Sequence, residues 1–192
     1  MCSLFPRVAT KTLVVVVMHG LEHPKPTNTG KLVVACLPHS ELHLFGPDLP
    51  PLMERPWPAT HTPVVLFPVA GAEPIEAFRG TRDMALIALD GSWRQAARLR
   101  RRFATLGVRF AAAPAGPSVY RLRAEPDAQG MSTFEAVTRS LAVLEGIDPE
   151  PLERTLRIFR DRTLWCRGSI RDHEVEGGLP PGITKRDLTR GS

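Results

Sequence analysis

Apolar residues follow two different spacings along the chain. Continuous or alternating apolar runs are typical of strands, and they predict strands at 12–18, 41–45, 64–67, 85–89 and 108–113. Helical spacing predicts helices at 31–37, from 92, from 132 and from 148 to about 165. Because strands alternate with helices, we expect one α/β domain over 1–192, with a mostly parallel sheet flanked by helices. The polar, glycine-containing segment 166–192 is expected to be a poorly ordered tail.

The stretch 85–102 predicts a strand, a sharp turn and then a helix. Asp90 and Gly91 end the strand, and Ser92 stands at an N-cap position with Gln95 at the spacing of a capping box. One face of the predicted helix is apolar and carries Ala96, Leu99, Phe103 and Leu106. Another face carries Arg94, Arg98, Arg101 and Arg102. Asp90 therefore lies at the end of a strand beside a helix N-terminus, a common place for chemistry in α/β proteins.

Basic residues greatly outnumber acidic ones in and after this predicted helix. The chain has 25 lysines and arginines against 20 acids, which gives a net charge of +5 and a mild preference for polyanionic partners. Between Asp90 and Glu125 there are eight arginines and no acid. A solvated basic face is one explanation, but such clustering favours contact with phosphates, which arginine binds bidentately.

The cysteines and the apolar runs exclude several classes of protein. Cys2, Cys36 and Cys166 are far apart and form no CxxC pair, so we expect neither a metal site nor a disulfide framework. Cys36 is expected to pack as a small hydrophobe. No apolar run has the length of a membrane span, and the N-terminus lacks a signal-peptide pattern. We therefore expect a cytoplasmic monomer with no membrane contact and no obligate protein partner.

A polar loop, 19–30, follows the first predicted strand. Thr29 and Gly30 would stand at the N-terminus of the helix predicted for 31–37, where free backbone N–H groups bind anions. A phosphate or a small carboxylate would fit there, and an ordinary loop is the alternative.

Five motifs occur in an order that matches a known family. They are Asp90-Gly-Ser-Trp93 with the following Arg-Gln-Ala, His23-Pro-Lys-Pro-Thr-Asn-Thr-Gly-Lys-Leu32, Leu66-Phe-Pro68, Tyr120-Arg-Leu-Arg123 and Met131-Ser-Thr-Phe-Glu-Ala136. Together they resemble the DTW-domain family from about residue 12 to 165, with Ser92 where threonine is usual. The family commonly has a cysteine cluster ahead of the first strand. Here only Cys2 stands there, so no zinc site is carried over.

The resemblance implies a tRNA-uridine aminocarboxypropyltransferase. Such enzymes transfer the 3-amino-3-carboxypropyl group of S-adenosylmethionine to N3 of a uridine and release 5′-methylthioadenosine. The implied fold is similar to the SPOUT class, with a C-terminal trefoil knot. Ribosomal-RNA aminocarboxypropyltransferases share several of these motifs, so an rRNA target is an alternative. An S-adenosylmethionine-dependent RNA methyltransferase and a non-catalytic RNA-binding module are the others.

The resemblance also implies roles for individual residues. Asp90 would orient or deprotonate uridine N3, or else hold its own loop. Trp93 would pack against the transferred aminocarboxypropyl chain or contact the sulfonium; the alternative is a buried core tryptophan. The remaining cofactor contacts would be Thr29, Gly30, Leu66, Phe67, Pro68, Gly91, Ser92, Met131, Ser132 and Thr133. The tRNA contacts would be His23, Lys25, Asn28, Arg94, Arg98, Arg101 and Arg102.

Overall fold

The computed structural model describes residues 5–47, 49–120, 122 and 131–183. Within them the strands are β1 (Leu13–His19), β2 (Ser40–Phe45), β3 (Thr62–Leu66), β4 (Glu73–Pro74), β5 (Met84–Asp90) and β6 (Arg109–Ala112). The α-helices are α1 (Gly30–Cys36), α2 (Trp93–Ala104), α3 (Thr133–Glu145) and α4 (Glu150–Cys166). All the predicted strands and helices are present in this part of the chain.

The strands form one parallel sheet in the order β2-β1-β5-β3-β6-β4. The first strand lies inside the sheet, because β1 pairs with β2 on one side and β5 on the other. Met18 is opposite Asp90 in this register, so β1 and β5 end side by side. The short strand β4 was not predicted, because two residues are too few to show a period.

Alternate residues of β1 face two separate cores. Val14, Val16 and Met18 pack with apolar residues of α1, α3 and α4 on one face of the sheet. Leu13, Val15 and Val17 pack on the other face with α2, through Ala96, Leu99 and Phe103. Both faces of β1 are therefore covered, which explains its unbroken apolar sequence.

Both predicted capping boxes are present. Ser92 caps α2 and donates its backbone N–H to Gln95 Oε1 at 2.7 Å. Ser132 caps α3 in the same way with Glu135. The apolar stripe of α2 is buried as predicted, although Leu106 lies beyond the end of the helix and packs against the same core from there.

The tail prediction is wrong for residues 167–183. This segment is held against α4 by polar contacts: Trp165 Nε1 donates to Asp172 Oδ1 at 2.6 Å, and Glu176 N–H donates to Asp161 Oδ2 at 3.1 Å. Arg157 Nε donates to Glu176 Oε2 at 2.8 Å. Hydropathy did not indicate this order because side-chain pairs, rather than an apolar stripe, hold the segment. Residues 184–192 lie outside the described residues.

Cys36 is fully buried in α1, as predicted. Burial raises the pKa of its thiol to about 12, so the sulfur stays protonated and packs as an apolar group. Across the described ranges, no group of three or more histidine, cysteine or acidic side chains is placed to hold a metal ion.

The N-terminus of α1 packs closely against the end of β5. A Cβ atom on Gly30 would lie 2.9 Å from Asp90 Cγ and 2.9 Å from Met18 Cε. These distances are shorter than real Cβ contacts, so only glycine permits this approach. The close approach of α1 to the end of β5 thus depends on the absence of a side chain at residue 30.

Gly30→Ala is expected to lower the free energy of unfolding by about 1–3 kcal/mol, because the added methyl overpacks this contact. Gly46→Ala is the matched control. Its Cβ would lie 3.6 Å from Leu49 Cδ1, an ordinary contact, so the expected change is about 0.5 kcal/mol or less. Denaturant unfolding of both variants measures the difference. Equal stabilities would contradict the close-packing interpretation of Gly30.

Candidate active site

The carboxyl ends of β1, β3, β5 and β6 border a cavity of about 900 Å³. The end of a parallel sheet is the usual place for a ligand site in an open α/β fold, and this volume suits a ligand of nucleoside size. The wall combines apolar segments at 66–68 and 112–117 with polar segments at 27–29, 90–92 and 132–133.

Asp90 lies in the polar part of this wall and is 5% exposed. Its Oδ2 accepts a hydrogen bond from Asn28 Nδ2 at 2.5 Å. Its Oδ1 accepts one from Thr133 Oγ1 at 2.6 Å. The carboxylate at the end of β5 therefore joins the loop before α1 to the first residue of α3.

Asn28 is held by contacts at both ends of its amide. Its Nδ2 donates to Asp90, and its Oδ1 accepts from Lys31 N–H at 3.1 Å. The second bond caps α1, whose N-cap residue Thr29 makes no side-chain cap of its own. The two contacts require opposite ends of the amide, so they fix its orientation.

Glu135 lies in the first turn of α3, next to the cavity-lining residues 132–133, and is 5% exposed. Its Oε2 accepts from Ser132 N–H and from Ser118 Oγ, each at 2.8 Å, and its Oε1 accepts from Val119 N–H at 2.7 Å. The next residue, Tyr120, donates its hydroxyl to Thr27 O at 2.5 Å. The capping-box spacing marked Glu135 in the sequence, but not its second role of anchoring 118–119.

Acidic side chains outnumber basic ones among the described residues of the cavity wall. Glu22, only 2% exposed, accepts from Lys25 Nζ at 2.6 Å. Among the described lining residues, the ionised side chains are the carboxylates of Glu22 and Asp90 and the ammonium of Lys25. Such a wall disfavours a polyphosphate ligand and favours a ligand with a positive net charge. Glu22 was missed by sequence reasoning, because an isolated loop glutamate gives no signal.

Trp93 lines the cavity at the first position of α2 and is 39% exposed. Its ring meets Phe67 in an edge-on arrangement with 5.6 Å between the centroids. The alternative of a buried core tryptophan is therefore wrong. Together with Leu66 and Pro68, this aromatic pair forms an apolar wall beside the acidic residues.

The structure brings most of the predicted site residues together. The cavity is lined by Asp90, Trp93, Thr29, Leu66, Phe67, Pro68, Gly91, Ser92, Met131, Ser132 and Thr133. Gly30 is the exception among the predicted cofactor contacts, because it packs behind Asp90 rather than in the wall. Of the predicted RNA contacts in the loop, Lys25 and Asn28 line the cavity, whereas His23 is exposed outside it.

The predicted arginine face of α2 is exposed at Arg94, Arg98 and Arg101. In the described part of the chain none of the three is paired with an acid, so their charges face solvent. Arg102 differs, because its Nη2 donates to Leu52 O at 2.6 Å and Met53 O at 3.2 Å and so ties a loop to α2.

The wider arginine cluster is less basic than its sequence indicates. Arg109 forms a bidentate pair with Glu73, with N–O distances of 2.8 and 2.6 Å. Arg121 and Arg123 lie outside the described residues. Of the arginines between 94 and 109 that the structure describes, Arg94, Arg98 and Arg101 therefore remain exposed and unpaired with an acid.

Comparison with known proteins identifies the family. A family model described as the DTW domain matches residues 1–164. Searches of curated proteins and of solved structures gave no match. In the described ranges no helix has both the length and the apolar character needed to cross a membrane. The match covers most of the 192 residues, so the chain belongs to the DTW-domain family, which is known in tRNA-modifying enzymes.

Proposed function

We propose that the protein transfers the 3-amino-3-carboxypropyl group of S-adenosylmethionine to N3 of a uridine in tRNA. The observation that carries the proposal is the cavity at the carboxyl edge of the sheet, which gathers residues of all five family motifs in one wall. Family membership supports tRNA over rRNA as the substrate.

The wall fits S-adenosylmethionine in charge and polarity. The molecule carries a positive net charge, because its sulfonium and ammonium groups outnumber its carboxylate. The described lining residues carry two carboxylates and one ammonium. The apolar segment 66–68 and the start of α3 offer surfaces that suit the adenosine.

In the proposed reaction, uridine N3 attacks the γ-carbon of the aminocarboxypropyl chain. The N3–C bond forms as the C–S bond breaks, and the electron pair of the C–S bond remains on sulfur as neutral 5′-methylthioadenosine. The N3 proton passes to solvent. Because the sulfonium is already an activated leaving group, alignment of the two reactants is the main task of the protein.

Asp90 is proposed as a positioning residue in this reaction. Both of its oxygens accept hydrogen bonds, from Asn28 and Thr133, so the carboxylate holds two segments of the wall in register. A general base needs an oxygen directed at the proton that it removes. The hydrogen bonds support the loop-holding role of Asp90, and the variant below distinguishes it from the role of a base.

A SPOUT-like class and a C-terminal trefoil knot are part of the same proposal. The parallel sheet flanked by helices is compatible with that class. The knot stays a prediction, because residues 123–130, which connect 122 to α3, lie outside the described residues.

Purified protein, incubated with S-adenosylmethionine and separately with tRNA or rRNA, is expected to form aminocarboxypropyl-uridine in tRNA. Mass spectrometry of the nucleosides and of the small-molecule products measures the outcome. 5′-Methylthioadenosine should appear in equal amount to the modified uridine. S-adenosylhomocysteine with a methylated nucleoside would instead identify a methyltransferase, and modification of rRNA alone would exclude the tRNA assignment. Binding of RNA without S-adenosylmethionine binding would identify a non-catalytic module.

Asp90→Asn tests the positioning role. An asparagine can keep both contacts, with its oxygen facing Asn28 and its amide facing the Thr133 hydroxyl. The single-turnover rate is therefore expected to fall less than about tenfold, with an unchanged pH profile. Thr133→Val, which removes the Thr133 hydroxyl donor at nearly constant volume, is expected to lower co-substrate affinity. A rate loss of about a hundredfold or more in Asp90→Asn, partly rescued at high pH, would identify Asp90 as a general base.

We expect weaker tRNA binding, with a weaker salt dependence, when Arg94, Arg98 and Arg101 are replaced by alanine. Each lost phosphate contact should lower the slope of log K against log salt by about one unit. Affinity for S-adenosylhomocysteine should stay unchanged. The matched control is Arg82→Ala, an exposed arginine before β5 at the opposite edge of the sheet. Equal salt slopes in the triple variant and the control would show that the arginine face is only solvated.

A further inference from the structure

Lys25 has an environment that its surface-loop position does not indicate. It lines the cavity, and its ammonium lies 2.6 Å from a carboxylate oxygen of Glu22, whose side chain is only 2% exposed. The lysine side chain itself is 46% exposed. An ammonium has three N–H donors, so the buried acid fixes its position and leaves donors for a ligand.

The backbone of the lysine's loop is also fixed. Lys31 Nζ donates to His23 O at 2.9 Å and to Lys25 O at 3.2 Å. Asn28 N–H donates to Lys25 O at 3.2 Å. Lys25 is therefore placed by its side-chain partner and by its own carbonyl, which suits a charged group that must meet a ligand at one position.

The alternative anion site at Thr29 and Gly30 is disfavoured by charge. The start of α1 already faces the Asp90 carboxylate, because a Cβ on Gly30 would lie 3.0 Å from Asp90 Oδ2. The N–H of Lys31 is capped by Asn28 Oδ1. A ligand carboxylate placed there would lie beside the Asp90 carboxylate, whereas at Lys25 the ammonium would stand between the ligand and Glu22.

A ligand carboxylate needs a cation in a partly dehydrated cavity. Within the described part of the wall, Lys25 is the side chain with a positive charge. We infer that Lys25 binds the α-carboxylate at the amino-acid end of S-adenosylmethionine, and that Glu22 is a positioning residue that holds the lysine ammonium. This inference rests on the proposed function. It assigns Lys25 to the co-substrate instead of to tRNA.

Three probes isolate the carboxylate contact. S-adenosylhomocysteine has the complete amino-acid end, its decarboxylated analogue keeps only the ammonium, and 5′-methylthioadenosine lacks both groups. Calorimetric titration of the full chain with each probe gives the dissociation constants. Lys25→Met keeps the length of the side chain and removes its charge. This variant should weaken the binding of S-adenosylhomocysteine about ten- to a hundredfold. The dissociation constants of the other two probes should stay within about threefold of the wild-type values.

Three further variants give the controls. Lys25→Arg should recover part of the affinity for S-adenosylhomocysteine. Glu22→Gln should weaken the binding of S-adenosylhomocysteine several-fold without weakening the binding of 5′-methylthioadenosine. General damage to the cavity would weaken the binding of both compounds. Lys11→Met, which removes a lysine next to the amino end of β1, should leave all three affinities unchanged.

The pattern of losses decides the outcome. If Lys25→Met lowers the affinities for S-adenosylhomocysteine and 5′-methylthioadenosine equally, the lysine only shapes its loop. This result would overturn the inference. Unchanged affinity for S-adenosylhomocysteine would overturn it as well. In both cases the wild-type protein still binds the probes, and the proposed function stands. If the wild-type protein binds none of the three probes, the proposed function fails and the inference fails with it.

Discussion

The carboxylate of Asp90 is the contact on which the candidate site depends. It stands at the end of a buried strand and accepts hydrogen bonds from Asn28 and Thr133, which belong to segments more than a hundred residues apart. Removal of either donor would leave a buried charge with one partner fewer, which costs more than the hydrogen bond itself contributes. The start of α1 comes this close to the carboxylate only because residue 30 is a glycine. The position of the acid is thus set by the backbone as much as by its side-chain partners.

From Asp90 the hydrogen bonds continue around the cavity in a closed circuit. Thr133 begins α3, and the Glu135 carboxylate in the first turn of that helix anchors 118–119. Tyr120 then bonds the carbonyl of Thr27, next to Asn28, which returns to Asp90. Each link joins a different segment, so a disturbance at one link is passed to the others. For this reason the expected effects of substitutions at Asp90 and Thr133 fall on co-substrate affinity as well as on rate.

The sequence predicted local features well and distant ones poorly. The run of valines in β1 and the Ser92 and Ser132 caps were identifiable because each depends on residues close in the chain. The strand order was not, because periodicity describes one strand at a time. Glu22 was missed because its burial depends on the fold around it and not on its neighbours in sequence. The site residues, in contrast, were found through the motif resemblance, and the structure places all but Gly30 of the expected co-substrate contacts in one wall.

The distribution of charge separates the two proposed substrates. Acidic groups predominate among the described residues of the cavity wall. Exposed arginines form the arginine face of α2, a helix that begins at the cavity with Trp93. The arginine face attracts a polyanion, whereas the acidic groups of the described wall repel it and attract a sulfonium. A uridine can therefore be brought to the rim by its backbone phosphates without competing for the pocket of the co-substrate. Lys25, in the described part of the wall, is paired with the buried acid Glu22, so it adds little to the long-range attraction of a polyanion, while its remaining N–H donors act at contact distance. On the proposed function, charge thus favours the co-substrate in the cavity and the RNA backbone on the exposed arginines of α2.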